Sequence, residues 1–273
     1  MGLQFNFGRN WRDFSRNALS SERVEQARND FDDLLSGVPL KRRSFLDIGF
    51  GQGLTLLLAA SGGATVVGCD INPLCAEVLQ ENRKRYFPEL NGRNIPIIVG
   101  SILDESVVEK LRAAAPGAAG LYDIVHSWGV LHHTGNMKRA IEATASLVKP
   151  GGNLILAIYA RHWSSPAWRA IKYSYVHCPA LLQKLLVSAF YPIIYVAKWL
   201  VTRGRVTEKA RGMDFFYDVV DWVGGYPYEY ARADEIVTTM QALGFEAERI
   251  LAAEVPTGCN QLIFKALAKN EDV

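Results

Sequence analysis

The chain has 273 residues, is 49% hydrophobic and 21% charged, and carries 30 Lys+Arg against 28 Asp+Glu for a net charge of +2. That length accommodates one large domain, or one domain with a sizeable insertion, and the apolar share excludes wholesale disorder. So small a net charge argues against dedicated nucleic-acid binding. Residues 9–36 read as one helical stretch, with Phe14, Val24, Phe31 and Leu34 as apolar anchors among charges. Arg9, Arg12, Asp13 and Arg16 lie there without an apolar run, so no signal peptide is expected and the protein reads as cytoplasmic.

Strand Ser44–Ile48 runs into a Gly-rich turn, followed by a helix through Ala60 and a strand over Ala64–Cys69. Asp70–Pro73 opens a helix that ends near Tyr86, with Pro73 suited to its first turn. Next come strand Ile95–Val99, helix Glu105–Ala115, strand Tyr122–His126 and helix Met137–Val148. A Lys149-Pro150-Gly151-Gly152 turn then leads into strand Asn153–Tyr159. This alternation predicts an α/β fold with a Rossmann-like, doubly wound parallel sheet.

The rhythm breaks at Arg161. An aromatic-rich stretch precedes helix Asp234–Leu243 and two last strands near Ala247–Glu254 and Gln261–Leu267. The expected organisation is an N-terminal helical cap (1–43), a cofactor-binding domain (44–160 and 231–273) and a substrate-binding lid insertion (161–230). Within the insertion Leu181, Leu182, Leu185, Leu186, Ala189, Phe190, Ile193 and Ile194 recur at helical spacing, and 161–211 holds nine Lys/Arg with one Glu. Gln183, Lys184, Pro192 and Lys198 interrupt Ala180–Val201, which favours a buried or interfacial helix over a membrane span. A core-facing helix, peripheral membrane contact through 181–201 and a homodimer contact all stay open for it. The four cysteines form no C-x-x-C and no His cluster has zinc spacing, so no metal is expected.

Chemistry concentrates in the segment from Ser44 to Thr55. Gly49, Gly51 and Gly53 let the backbone turn tightly at a strand end and admit a ligand closely. A dinucleotide fingerprint would need glycine where Leu54 stands, and no Gly-Lys-Ser/Thr supplies a phosphate loop. The pattern Asp47-x-Gly49-x-Gly51-x-Gly53, followed by acidic Asp70 at the end of the second strand, resembles motifs I and II of class I S-adenosylmethionine-dependent methyltransferases. Such a cofactor presents a cationic sulfonium and a zwitterionic amino acid, so acidic side chains are welcome, and Asp70 would accept from both ribose hydroxyls.

The resemblance covers roughly 44–159 and 233–267. It implies a seven-stranded sheet with the last strand antiparallel and S-adenosyl-L-methionine as cofactor. Val99-Gly-Ser101-Ile102 resembles the adenine-binding motif, with Ser101 where the family often has Asp. Ser127-Trp128-Gly129-Val-Leu-His132-His133 resembles motif IV, whose backbone holds the methionine moiety. The implied cofactor set is Asp47, Gly49, Gly51, Gly53, Asp70, Ile71, Asn72, Ser101, Ile102, Ser127 and Trp128.

Methyl transfer from a sulfonium is an in-line displacement in which alignment does most of the work, and an acidic acceptor proton also needs a base. His132 and His133, at the carboxyl edge of the sheet, either act as that base, position the acceptor, or only pack; Tyr226 is a further catalytic candidate. Tyr217, Asp218, Asp221, Tyr226, Tyr228 and Glu229 lie in an aromatic, acidic run (Arg211–Tyr230) that resembles an element of a subset related to the ubiquinone-type group. They form either a pocket wall, where a carboxylate pairs a substrate amine, or a lid packed on the core. Trp11, in a segment able to close over the cofactor, and Asn260, beside Thr257 in a late turn, complete the substrate candidates. The leading expectation is methylation of a small-molecule acceptor at N, O or C. Alternatives are a tRNA or protein acceptor, a lipid or quinone at a membrane surface, and a non-catalytic cofactor-binding partner subunit.

Overall fold

The computed structural model describes residues 4–201, 203, 214–253, 255 and 258–268. Two helices open the chain, α1 (Phe7–Asn17) and α2 (Ser21–Leu34), where the sequence suggests one. Ser20 is the reason: it adopts extended backbone and its hydroxyl accepts from the Arg23 N–H at 3.3 Å, capping a new helix rather than continuing the old one.

Strands and helices then alternate as β1 (Ser44–Ile48), α3 (Leu54–Ser61), β2 (Thr65–Asp70), α4 (Pro73–Tyr86), β3 (Ile97–Val99), α5 (Glu105–Ala114), β4 (Tyr122–Trp128), α6 (Met137–Ala145) and β5 (Val148–Tyr159). After α7 (Ser165–His177), α8 (Ala180–Val201) and α9 (Phe215–Gly224), the chain closes with α10 (Ala233–Ala242), β6 (Phe245–Leu251) and β7 (Cys259–Ala266). The sheet has seven strands in the order β3-β2-β1-β4-β5-β7-β6, with β7 antiparallel to both neighbours. The predicted doubly wound architecture and its antiparallel last strand are present.

Local chemistry explains where boundaries moved. β3 is shorter than expected because Pro96 has no N–H to give to a ladder. Lys149–Gly152 is not a free turn: Val148 already pairs with Tyr122, the ladder resumes at Ile124–Asn153, and the four residues form a bulge at the register shift, with Gly151 at φ +71°. The same pairing of Val148 stops α6 at Ala145.

Apolar side chains fill both sides of the sheet. On one side Leu46, Val67, Val125, Leu154 and Leu262 meet Leu111, Ile141 and Met240 of the covering helices. On the other, Phe45, Val66 and Ile155 meet Phe14, Phe31, Leu57 and Leu79. Burying each such side chain contributes about 1.5–3 kcal/mol. A third, separate cluster joins α7, α8 and α9 through Tyr175, Val187, Ile194, Phe215, Val219 and Val223, with Phe5 of the N-terminal arm packed against it.

The segment carrying that third cluster leaves and re-enters the sheet at one place. Ala160 pairs with Ala231 in an isolated parallel bridge, and the Arg161 N–H donates to the Ala231 carbonyl at 3.1 Å. At the centre of the order, the sheet extends from β1 toward β2 and β3 and from β4 toward β5, which leaves a crevice at the carboxyl ends of β1 and β4, on the same edge as that bridge. Open α/β sheets bind their ligands in such a crevice.

Candidate active site

β1 delivers Asp47 and the glycine turn to this crevice. Gly49, Gly51 and Gly53 all have positive φ, which only glycine adopts without strain. Their N–H groups are already committed: Gly49 to the Cys69 carbonyl at 2.7 Å, Gly51 to Asp70 Oδ2 at 3.0 Å, and Gly53 to the Phe50 carbonyl at 2.8 Å. A phosphate would therefore find none of these three glycine amides free and two carboxylates nearby, Asp47 and Asp70. A cationic, polyhydroxylated ligand meets the opposite situation.

Asp70 ends β2 with its carboxylate held by two backbone donors, Gly51 to Oδ2 and Asn72 to Oδ1 at 2.8 Å. The Cys75 thiol is a third, weaker donor, and a carboxylate with about four lone-pair sites retains acceptor capacity for a ribose hydroxyl. Burial raises the Asp70 carboxyl above its ordinary value, against the two N–H donors and Cys75. Asp47 is buried and pairs with His126 Nδ1 at 2.7 Å, which fixes both side chains beneath the turn.

A single cavity of about 980 Å³ runs from this turn into the helices beyond β5. Of the expected cofactor residues, Asp47, Gly49, Asp70, Ile71, Asn72, Ser101, Ile102 and Trp128 line it. Gly51 and Gly53 do not: a side chain at Gly51 would meet the Trp11 ring 2.7 Å away, and one at Gly53 would meet Leu79. They shape the turn rather than its surface. Ser127 is also off the cavity, since its hydroxyl donates to the Ile48 carbonyl at 3.0 Å and ties β4 to β1.

The N-terminal arm forms the roof. Gln4, Phe5, Asn6, Phe7 and Trp11 line the cavity, and the Asn72 amide donates to Asn6 Oδ1 at 2.9 Å. Asn10 reaches α9, donating to Asp221 Oδ1 at 2.7 Å and to the Tyr217 carbonyl at 3.3 Å.

At the far end the lining includes His133, Tyr159, Trp168, Asp218, Asp221 and Trp222, together with Ile193, Ala197 and Val201 of α8. His133 Nδ1 donates to the Pro227 carbonyl at 2.6 Å, which leaves Nε2 as the acceptor atom. Burial, and then Lys172, push His133 down to about 3, so it is a neutral imidazole at working pH. Burial, and then the negative charge of Asp218, push the Asp221 carboxyl up to about 8, against the pull of Lys172 and Asn10.

The other expected pocket residues are placed elsewhere. His132 is fully buried, and its Nδ1 accepts from the Tyr159 N–H at 3.3 Å, so it serves packing behind the wall. Tyr226 stands off the lining, edge-on to Tyr173 at 5.5 Å, while its carbonyl accepts from the Phe5 N–H at 2.9 Å. Tyr228 is buried against Tyr159. Tyr217 braces α1 by donating to the Asp13 carbonyl at 3.2 Å. Glu229 caps α6, accepting from the Met137 N–H at 2.9 Å. Asn260 donates to the Ala231 carbonyl at 3.3 Å and accepts from the Ala253 N–H. Arg211–Met213 and Thr257 lie outside the described residues.

Lys172 of α7 is the residue that sequence reasoning missed. It is buried; its ammonium donates to the Trp222 carbonyl at 2.6 Å and the Asp221 carbonyl at 3.3 Å, and lies 5.0 Å from the Tyr228 ring centroid and 5.5 Å from that of Tyr159. Burial lowers it to about 7, with Asp221 opposing.

A family model described as a methyltransferase domain matches residues 21–204. The chain belongs to this methyltransferase family. Its class I S-adenosylmethionine-dependent character is carried by the fold and the acidic glycine turn together. Among curated relatives it is 30% identical over 126 residues to the ubiquinone biosynthesis O-methyltransferase of Pectobacterium atrosepticum, covering 46% of each chain. It is 29% identical over 123 residues to the Escherichia coli protein of the same name, covering 45% of each. The chain thus spans about half the length of the curated relatives it matches. Its fold is similar to that of an O-methyltransferase family protein from Burkholderia thailandensis, with TM-score 0.55 and 17% identity over 90% of this chain and 58% of that one. It is similar too to magnesium protoporphyrin IX methyltransferase from Synechocystis, solved with bound SAH, at TM-score 0.53 and 16% identity over 89% of this chain and 82% of that one.

Proposed function

We propose that this methyltransferase methylates a small-molecule acceptor held in the far end of the cavity, beside Asp221. S-adenosylmethionine supplies an electrophilic methyl group on a sulfonium when bound. The observation that carries the reading is the cavity itself: it continues past the glycine turn into a largely apolar chamber roofed by Phe5, Phe7 and Trp11. Enclosure of that kind suits a compact acceptor more than a tRNA or folded protein, whose reacting group would have to thread the roof.

The chain's own contribution is alignment and exclusion of water. Asp70 and Asn72 hold one end of the cofactor, the N-terminal arm covers it, and Tyr159, Trp168 and Trp222 wall the acceptor. Asp221, not a histidine, is the base we assign, because a group near 8 matches a proton to be taken near neutral pH and one near 3 does not. The names of the curated relatives favour an oxygen nucleophile, for which such a base is useful.

Calorimetry with S-adenosylmethionine on the wild type and Asp70→Ala tests the cofactor side. A charge-assisted hydrogen bond of about 1.5–3 kcal/mol to a ribose hydroxyl is lost, so affinity should fall at least about tenfold. Equal affinity would refute the site. Incubating cell-extract fractions with methyl-labelled cofactor tests the acceptor: label in small molecules supports the reading, label only in RNA or protein overturns it, and binding without any transfer marks a partner subunit instead.

A further inference from the structure

α8 carries two apolar faces. The inner one is accounted for: Val187 and Ile194 are buried with Phe215, Val219 and Val223, and Ala197 borders the cavity. The outer one is open, with Leu181 73%, Leu185 57%, Val196 54% and Leu200 65% exposed. These four positions recur at near-helical spacing and form a stripe along a helix of 22 residues, about 33 Å at 1.5 Å per residue. The helix is long and apolar enough to cross a membrane by length and composition, yet its inner face is committed to protein. A contiguous apolar surface of this kind marks an interaction site.

Charge and aromatic chemistry identify the occupant. From Arg161 to Val201 the sequence has five Lys/Arg and no Asp or Glu. Lys172 is buried, and Lys198 and Arg161 pair with Asp218 and Glu235, so Lys184 on α8 is the exposed cation of the stripe's own helix, with Arg169 exposed on α7. Trp199 and Tyr195 stand exposed on α8, Tyr173 on α7, and Trp163 just before α7 is 86% exposed. Apolar side chains rimmed by Trp, Tyr and cations are what the headgroup boundary of an anionic bilayer accepts. A second copy of this surface would instead bring Lys184 near its own counterpart, with no carboxylate on α7 or α8 to offset it.

We propose that α8 and the adjoining edge of α7 dock flat on an anionic bilayer, so that Ile193 and Val201, which are both exposed and part of the cavity wall, form the edge by which a lipophilic acceptor enters. The docking stands on the surface alone; the entry route rests on the acceptor reading above.

Flotation of the whole chain with phosphatidylcholine vesicles, with and without phosphatidylglycerol, tests it. The wild type should float with the anionic vesicles, and salt should release it. The triple substitution Leu181→Gln/Leu185→Gln/Leu200→Gln should cut the floated fraction at least tenfold. Its thermal transition and its calorimetric affinity for S-adenosylmethionine should stay unchanged. Failure of the wild type to float, equal flotation with neutral vesicles, or a dimer in sedimentation that the same substitutions dissociate would each overturn the proposal. Loss of cofactor affinity in the wild type would refute the enzyme reading and leave the flotation result standing.

Discussion

Lys172 and Asp221 show how much a single pair of side chains can depend on neighbours far away in sequence. Lys172 donates to two carbonyls at the C-terminal end of α9: that of Trp222, in the last turn where helical acceptors lose their intrahelical donors, and that of Asp221, which also accepts from the Gly225 N–H. Replacing it with methionine keeps the volume and removes the donors. Lys172→Met should therefore lower the unfolding free energy in urea by about 1–3 kcal/mol. Asp221 gives a pH signature. Its folded pKa lies above its unfolded value, so the native state binds the extra proton, and this contribution is present below about 4 and lost as pH rises through about 8. Asp221→Asn abolishes that loss. Its stability relative to wild type should rise between pH 5 and pH 9, by on the order of 1–3 kcal/mol, in urea titrations at several pH values. A difference independent of pH would show that the carboxyl is not shifted. Neither role was legible in the sequence: a lone lysine on a helix ordinarily sends its ammonium to water, and only the packing of α7 on α9 prevents it here.

At the scale of elements, the contact between α1 and the glycine turn is the most sensitive. Trp11 occupies the space a side chain at Gly51 would need, and Gly51 has φ +55°. Gly51→Ala combines backbone strain with displacement of the roof, so cofactor affinity should fall by about tenfold or more while the sheet stays folded, read by calorimetry and circular dichroism. The turn and its two strands were readable because their signals are local: a glycine at each positive φ of the turn, an acid near the end of β1 and of β2, and an apolar run for each buried strand. What escaped was decided by pairing across the chain. Lys149–Gly152 looks like a turn until Tyr122 claims Val148 as its partner. Glu229 looks like a pocket acid until the N-terminus of α6 needs an acceptor. Tyr217 looks like a pocket aromatic until α1 arrives above it.

At the scale of the molecule, three bodies meet around one cavity: the sheet supplies the cofactor end, the N-terminal arm the roof, and α7–α9 the acceptor end. The sheet with its two cores was anticipated from strand rhythm. The meeting of the other two was not, since it rests on single polar contacts such as Asn10 to Asp221. The bridge between Ala160 and Ala231 gives this arrangement a further meaning. Because the whole excursion starts and finishes at one rung, the ladder of the sheet registers only that rung, and the other ties of the segment run to the N-terminal arm, to His133 and to α6. Closing a longer or shorter excursion changes the chain entropy only logarithmically. Acceptor preference in such a scaffold is therefore an exchangeable cassette: transplanting the segment between those two alanines, together with the N-terminal arm that roofs it, onto a related sheet should carry its selectivity along, leaving the donor half of the reaction to the recipient.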